Sequence, residues 1–356
     1  MKTVQSVVLT YRRQNLELFP WKLIIEAPYL ENLIFRLIRK ADLDLRRYAQ
    51  IFDDAIKKYK PEIFHSHFGN RAWFDLPLVQ DNDLKHVVTF YGFDVGQLPH
   101  KNSIWIRRYQ ELFAKADLFL CEGPFMAGSI EEMGCPSEKL VVHRLGIELE
   151  RISYQPRKIH PGESIKILIA GSFREKKGIP YALEAVGLAK KKYPQIQVTI
   201  IGDATVEKRS KNEKQQILHV INRYNLESSV RLLGFQPKDI LEKEAHQHHI
   251  FLSPSVVASD GDTEGGAPVS IIEMAASGMP VISTTHCDIP QVIEHSKSGF
   301  LAEERNSEEL YSYLIWLIEH PEDWERITKN ARRNVEDKFD VENQAQELIE
   351  LYTNLL

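Results

Sequence analysis

The sequence predicts an α/β protein of two Rossmann-like, doubly wound domains that face each other across a cleft. Three observations predict it. Strand-like and helix-like runs alternate along most of the chain, the grammar of parallel sheets with crossover helices. The alternation falls into two sets, separated at 148–164 by a stretch with Pro156, Pro161 and Gly162 and little periodicity. A chain of 356 residues is long enough for two units, each burying its own core.

In the first set, short apolar runs predict strands at 6–10, 63–66, 86–90, 118–121 and 140–143. In the second they predict strands at 165–170, 197–201, 230–233, 250–252 and 281–283. From Ser307 onward the chain reads as helices alone. The expected organisation is a first domain over 1–147, a linker over 148–164, a second domain over 165–338 and a final helix over 339–356. No sequence repeat links the halves and no segment is of low complexity. Open parallel sheets bind ligands beyond the carboxyl ends of their strands. Two such sheets facing a cleft suit a group donor on one side and an acceptor on the other.

Composition is that of a soluble globular protein, 43% hydrophobic and 27% charged, and a net charge of −5 argues against nucleic acid as a partner. Charge is uneven: residues 1–60 hold 12 Lys/Arg against 7 Asp/Glu. The odd, widely spaced Cys121, Cys135 and Cys287 fit reduced thiols. No apolar run approaches the ~20 residues of a membrane span, and no signal-peptide core opens the chain. The expectation is a cytoplasmic protein. Residues 30–60 combine Leu33, Ile34, Leu37 and Ile38 with Arg36, Arg39, Lys40, Arg46 and Arg47. Such a stretch reads either as core on one face with solvated charge on the other, or as peripheral contact with the inner face of an anionic membrane.

The densest chemistry lies in Asp260-Gly-Asp-Thr-Glu264-Gly-Gly-Ala-Pro268. A helix is predicted directly after it from Val269, where Ile271, Ile272, Ala275 and Ala276 recur at helical spacing until Gly278-Met-Pro280 stops it. A helix end opening from a glycine loop presents unpaired N–H groups and partial positive charge, suited to a phosphate or a sugar hydroxyl. Glu273, one turn in, reaches the same crevice. Taken alone, the span reads equally as a glycine turn before an ordinary amphipathic helix. A second loop, Ile167-Leu-Ile-Ala-Gly171-Ser-Phe-Arg174-Glu-Lys-Lys177-Gly178-Ile-Pro180, reads as a buried strand, a tight turn and a helix with Pro in its first turn. It aims a lysine at the crevice. In the first half, Ile63-Phe-His65-Ser-His67-Phe-Gly69-Asn and Thr89-Phe-Tyr91-Gly92-Phe-Asp94 each close a strand.

Metal spacing occurs at His65/His67, at His246/His248/His249 and at Asp260/Asp262. The first pair lacks companion ligands, the second fits a helix end beside a strand, and the third sits in a doubly wound context. No metal site is expected.

Together these spans resemble the acid–loop–acid signature of retaining glycosyltransferases of the GT-B fold, the glycosyl transferases group 1. Asp260–Pro268 and Thr284-Thr-His-Cys-Asp288-Ile-Pro290 resemble the bacterial exopolysaccharide and colanic-acid-type branch. The resemblance runs from about Ile63 to the C-terminus. It implies that Lys177 contacts the diphosphate of a nucleotide sugar and stabilises charge on the departing nucleotide, with Glu264 as the second catalytic position. It assigns donor binding to Gly171, Ser172, Arg174, Lys177, Gly202, Gly234, Glu264, Gly265, Gly266, Ala267, Pro268 and Glu273. The amides of Gly265, Gly266 and Ala267 and the Glu264 side chain would hold the sugar, and Glu273 the ribose. His67, Gly69, Tyr91, Gly92 and Asp94 fall on the acceptor side, although Asp94 fits a cap or turn equally well. The implied donor is a nucleotide sugar, with a UDP-sugar favoured and no cofactor. The implied acceptor is a hydroxyl of a glycan or lipid-linked glycan, and the final helix would cross back to the first domain.

The chain departs from the pattern in four places. Eight residues separate Glu264 from Glu273, where the pattern has seven. Ser172 stands where the pattern has arginine, with Arg174 nearby to replace the charge, and Tyr91 stands where many relatives have histidine. The fourth is at the N-terminus, which reads as though the first strand, glycine loop and helix of the first domain were missing. Either a partner chain or second copy, or strand 6–10 itself, would then fill the gap. A non-catalytic or partner-dependent subunit with the same fold is the alternative reading.

Overall fold

The computed structural model describes residues 4–13, 21–29, 33, 50–160 and 162–356. Every strand pair in it is parallel. Strands β1 (Val8–Thr10) and β2 (Ile24–Glu26) form a pair of their own. A four-stranded sheet follows in chain order: β3 (Ile63–His67), β4 (Lys85–Thr89), β5 (Leu118–Cys121) and β6 (Leu140–Val142). The second half holds β7 (Lys166–Ala170), β8 (Gln197–Ile201), β9 (Val230–Gly234), β10 (Ile250–Leu252), β11 (Val281–Thr284) and β12 (Phe300–Ala302). Their spatial order is β12-β11-β10-β7-β8-β9.

That order explains where a site must lie. The chain enters the sheet at β7, works outward to β9, then returns to β10 on the other side of β7. Crossovers on the two sides leave on opposite faces, so a crevice opens beyond the carboxyl ends of β7 and β10. The strands are apolar on both faces because both are covered. Ile167 and Ile169 pack with Val198 and Ile200 under helices Ile179–Lys190 and Ser307–Glu319. Leu168, one residue out of phase, packs with Phe251, Ile271, Ile272 and Ala275 on the opposite side. Alternation along one strand thus joins two separate cores.

The helix Val341–Leu355 belongs by packing to the first sheet. Leu348, Leu351, Tyr352 and Leu355 lie against Ile63, Val87, Leu118, Leu120 and Val141. Asp340 caps its start, accepting from the amides of Glu342 (2.8 Å) and Asn343 (3.4 Å). The crossing is close: a Cβ on Gly146 would stand 2.5 Å from Val341 Cα.

Two short strands, β2 and β12, are absent from the sequence reading. Strand β1 pairs with β2 and not with β3. Of the basic 30–60 stretch, Ile34, Arg36, Leu37, Ile38, Arg39, Lys40, Arg46 and Arg47 lie outside the described residues. The described helix Gln50–Tyr59 packs Phe52 and Ile56 on Ala27 and Leu78. Among the described residues no helix is long and apolar enough to cross a membrane.

Candidate active site

Beyond β7 the backbone turns sharply at Gly171-Ser172 before the helix Ile179–Lys190. Gly202 makes the turn feasible: it has φ +134°, and a Cβ there would meet the Gly171 carbonyl at 1.9 Å. Gly178 (φ +60°) lies as close to Pro254, which leads away from β10. The lysine loop and the 253–266 loop are therefore pressed together, and their side chains interlock.

Lys177 Nζ lies 2.8 and 3.0 Å from the two carboxylate oxygens of Glu264. Ser255 Oγ donates to the same carboxylate at 2.9 Å, and Lys176 Nζ stands 3.7 Å away. Burial alone pushes the Glu264 carboxyl up, but Lys177 and Lys176 outweigh it and hold it below its ordinary value. The loop is fixed from behind by His286. Its Nε2 accepts the Glu264 amide at 3.1 Å, and its Nδ1 bonds Glu304 Oε1 at 2.6 Å, which assigns the proton to Nδ1. Neither Lys176 nor His286 stands out in the sequence, although His286 lies inside the 284–290 span; their roles arise only when two distant loops meet.

The acids of the Asp260/Asp262 spacing are engaged by cations. Asp262, almost fully buried, pairs with Lys176 (3.1 Å) and Arg174 (3.3 Å). Asp260 pairs with Arg209 (2.9 Å) and, across the cleft, Lys101 (3.1 Å), with Gln97 donating at 2.9 Å. These partners hold the Asp260 carboxyl well below its usual range, against its burial. Arg174 also lies 3.5 Å from Glu207, which precedes the helix Lys208–Arg223, so its charge is shared between Asp262 and Glu207.

The helix Val269–Ala276 opens from Gly265-Gly266-Ala267-Pro268, and Gly265 takes φ +79°. Among the described residues the amides of Gly266 and Ala267 donate to no backbone acceptor. Glu273 is half-buried on this helix and pairs with Lys238 at 3.1 Å. Gly234 ends β9 at φ +70°, and the adjacent Phe235 ring is 59% exposed beside the same crevice edge.

The first domain supplies the facing wall. A Cβ on Gly92 would stand 2.6 Å from the Glu264 carbonyl, so the two glycine segments touch backbone to backbone. Asp94 is fully buried and accepts from the amides of Gly69 and of Tyr91 (2.8 Å). It ties the two strand-end loops together, and burial pushes its carboxyl up to about 7 despite those amides. Tyr91 Oη lies 2.7 Å from His67 Nδ1, and burial pushes the tyrosine up and the histidine down. His65 bonds Thr89 (2.7 Å) and Tyr352 (2.5 Å) and sits in the packing under the last helix. His248 bonds Thr199 and the Glu244 carbonyl of its own helix. Asp288, in the second domain, accepts from the amides of Phe125 (2.8 Å) and Met126 (3.3 Å) in the first. It caps the neighbouring domain's helix Pro124–Glu132 and clamps the cleft at one end.

Comparison with known proteins agrees with this architecture. The family model for glycosyl transferases group 1 matches residues 151–334, more than half the chain. The chain belongs to that family. The glycosyltransferase family 4 model matches residues 3–151, which extends the family's reach across the whole first half. This group 1 glycosyltransferase is 33% identical over 305 residues to the amylovoran biosynthesis glycosyltransferase AmsK of Erwinia amylovora, covering 84% of this chain and 72% of that one. It is 30% identical over 321 residues to the putative colanic acid biosynthesis glycosyltransferase WcaL of Escherichia coli K12, covering 87% and 77%. Among solved structures, Anabaena HepE in complex with UDP superimposes with a TM-score of 0.77 at 16% identity, covering 98% of this chain and all of that one. A glycosyltransferase of Rickettsia africae gives 0.74 at 21% identity, covering 94% and 85%. The likeness establishes the GT-B fold over nearly the full length.

Proposed function

We propose that this group 1 glycosyltransferase is a retaining enzyme of exopolysaccharide assembly. It moves a sugar from a UDP-sugar to a hydroxyl of a glycan or lipid-linked glycan, without a metal ion. The observation that carries the reading is the Lys177–Glu264 pair at the switch point, beside a glycine loop whose Gly266 and Ala267 amides, among the described residues, donate to no backbone acceptor. The solved relative HepE bears UDP or UDP-glucose, and the relatives WcaL and AmsK are named for colanic acid and amylovoran biosynthesis.

In this reading the diphosphate lies over Gly171-Ser172 and the start of Val269–Ala276, where helix-end amides favour an anion. Lys177 is then drawn from Glu264 toward the phosphates, and it stabilises the charge that develops on the leaving nucleotide. Arg174 adds charge where Ser172 provides none. Glu264 and the amides of Gly265, Gly266 and Ala267 hold the sugar, with Pro268 setting the helix start. Gly202 and Gly234 clear the floor for the nucleoside, Phe235 offers its ring to the base, and Glu273 accepts the ribose hydroxyls. Gly69, Gly92 and Asp94 shape the acceptor wall, and the His67–Tyr91 pair presents a hydroxyl where relatives present an imidazole. Burial keeps both members of that pair neutral at neutral pH, so they position a hydroxyl and do not supply charge.

The test is release of UDP from a panel of UDP-sugars with lipid-linked and free glycan acceptors, run in EDTA. Acceptor-dependent release supports the proposal. Release that requires added Mg²⁺ or Mn²⁺ contradicts its metal-free form.

Glu273→Gln is expected to weaken UDP binding by about 1–3 kcal/mol, the scale of a charge-assisted hydrogen bond. Lys238, already 3.1 Å from this carboxylate, competes for it, so Lys238→Ala should leave UDP affinity equal or higher. Calorimetric titration with UDP measures both, and unchanged affinity in Glu273→Gln would place the ribose elsewhere.

A further inference from the structure

Glu122 belongs to none of the motifs above, yet it stands in the middle of the cleft. It follows β5 directly, at the carboxyl end of a central strand of the first sheet. Its side chain spans the gap to the second domain. One carboxylate oxygen occupies the space beside Gly266, 2.0 Å from where a Cβ on that glycine would be. A side chain at Gly266 would displace Glu122, whose own Cβ lies 2.7 Å from that position.

Its neighbours make the placement costly. Asp94, Glu264 and Asp288 each have hydrogen-bond or ion-pair partners. Among the described residues the Glu122 carboxylate has none. Burial pushes its carboxyl up to about 8, and the nearby charges of Asp288, Asp94 and Glu264 add to the effect beyond what Lys176 offsets. A half-buried carboxyl surrounded by acids and left without a partner lowers stability. A hydroxyl seated beside it would supply the missing partner.

We propose that Glu122 is a specificity-determining residue that hydrogen-bonds a ring hydroxyl of the transferred sugar from the first-domain side, opposite the Gly265-Gly266 amides. This role rests on the donor site proposed above. The sugar is then gripped between domains, by amides on one side and a carboxyl group on the other. A ring whose hydroxyl points away from Glu122 loses that contact, so the residue discriminates among sugars that share one nucleotide.

The test uses the full-length protein as wild type, Glu122→Gln and Glu122→Ala. It titrates UDP, UDP-glucose, UDP-galactose, UDP-N-acetylglucosamine and UDP-glucuronic acid by calorimetry, and records the melting temperature of each unliganded protein. UDP affinity should agree within about twofold across the three proteins. The UDP-sugar that wild type binds best should weaken at least about tenfold in Glu122→Ala, with the ranking of sugars compressed. Both variants should melt at or above the wild-type temperature, because a half-buried carboxyl crowded by other acids has been removed; a purely structural role predicts a lower melting temperature and weaker UDP binding together. Unchanged sugar affinity and ranking overturn the role of Glu122 and leave the donor site standing. No binding of UDP to wild type overturns the donor site and this role with it.

Discussion

Lys177→Ala should lower turnover at least ~100-fold, the scale for removing one electrostatic contact to a transition state. Its ammonium is the cation paired most closely with Glu264, so the substitution has two consequences that must be separated. Breaking a buried pair by deleting one partner costs up to about 3–5 kcal/mol of stability. Here Ser255 at 2.9 Å and Lys176 at 3.7 Å remain beside Glu264, which keeps the cost toward the lower end. The double variant Lys177→Met/Glu264→Gln removes both charges and should recover most of the lost stability without recovering turnover. Near-normal turnover in folded Lys177→Ala, measured with a verified donor, would remove the lysine from the chemistry. Recovery of activity in the double variant would make it only a structural counter-ion.

The largest effect on stability is expected far from the cleft, at Arg157. This linker residue is buried and donates to His248 O (3.2 Å), Ser277 O (3.1 Å), Ala245 O (3.0 Å) and Ser277 Oγ (3.3 Å). Those carbonyls end two helices, Lys238–Gln247 and Val269–Ala276. One guanidinium therefore satisfies orphan groups at both ends and complements both helix dipoles. Burial lowers its proton affinity only to about 10, so it stays charged at neutral pH. Arg157→Ala strands several buried carbonyls at about 1–3 kcal/mol each, and a loss of about 3–5 kcal/mol is expected. Scanning calorimetry should show a marked fall in the melting transition, with UDP affinity at low temperature little changed. A melting temperature within a degree or two of wild type would show that water replaces the guanidinium at those helix ends.

Much of this was legible in the residues. The apolar runs at 118–121, 197–201 and 250–252 coincide with β5, β8 and β10. The helix read from Val269 begins there, because a glycine loop and Pro268 set its start and apolar spacing sets its face. What was not legible is what depends on tertiary approach. Nothing local distinguishes Lys176 from Lys177, yet one binds Asp262 and the other Glu264. Asp94 reads as either cap or acceptor contact in sequence; both its oxygens are taken by backbone amides. Glu122 carries no motif at all, and its setting appears only when two domains meet over a glycine. Strands β2 and β12 escape because pairing with their neighbours, and not their own pattern, holds them in place.

As proposed, the crevice between β7 and β10 is a nucleoside-diphosphate site built around Lys177 and Glu273. Calorimetric titration of UDP into wild type, Lys177→Ala and Glu273→Gln tests it most directly. UDP should bind wild type saturably at one site, with affinity weakened at least about fivefold in each variant by loss of a charged contact. No saturable binding to wild type, or equal affinity in all three proteins, would contradict it.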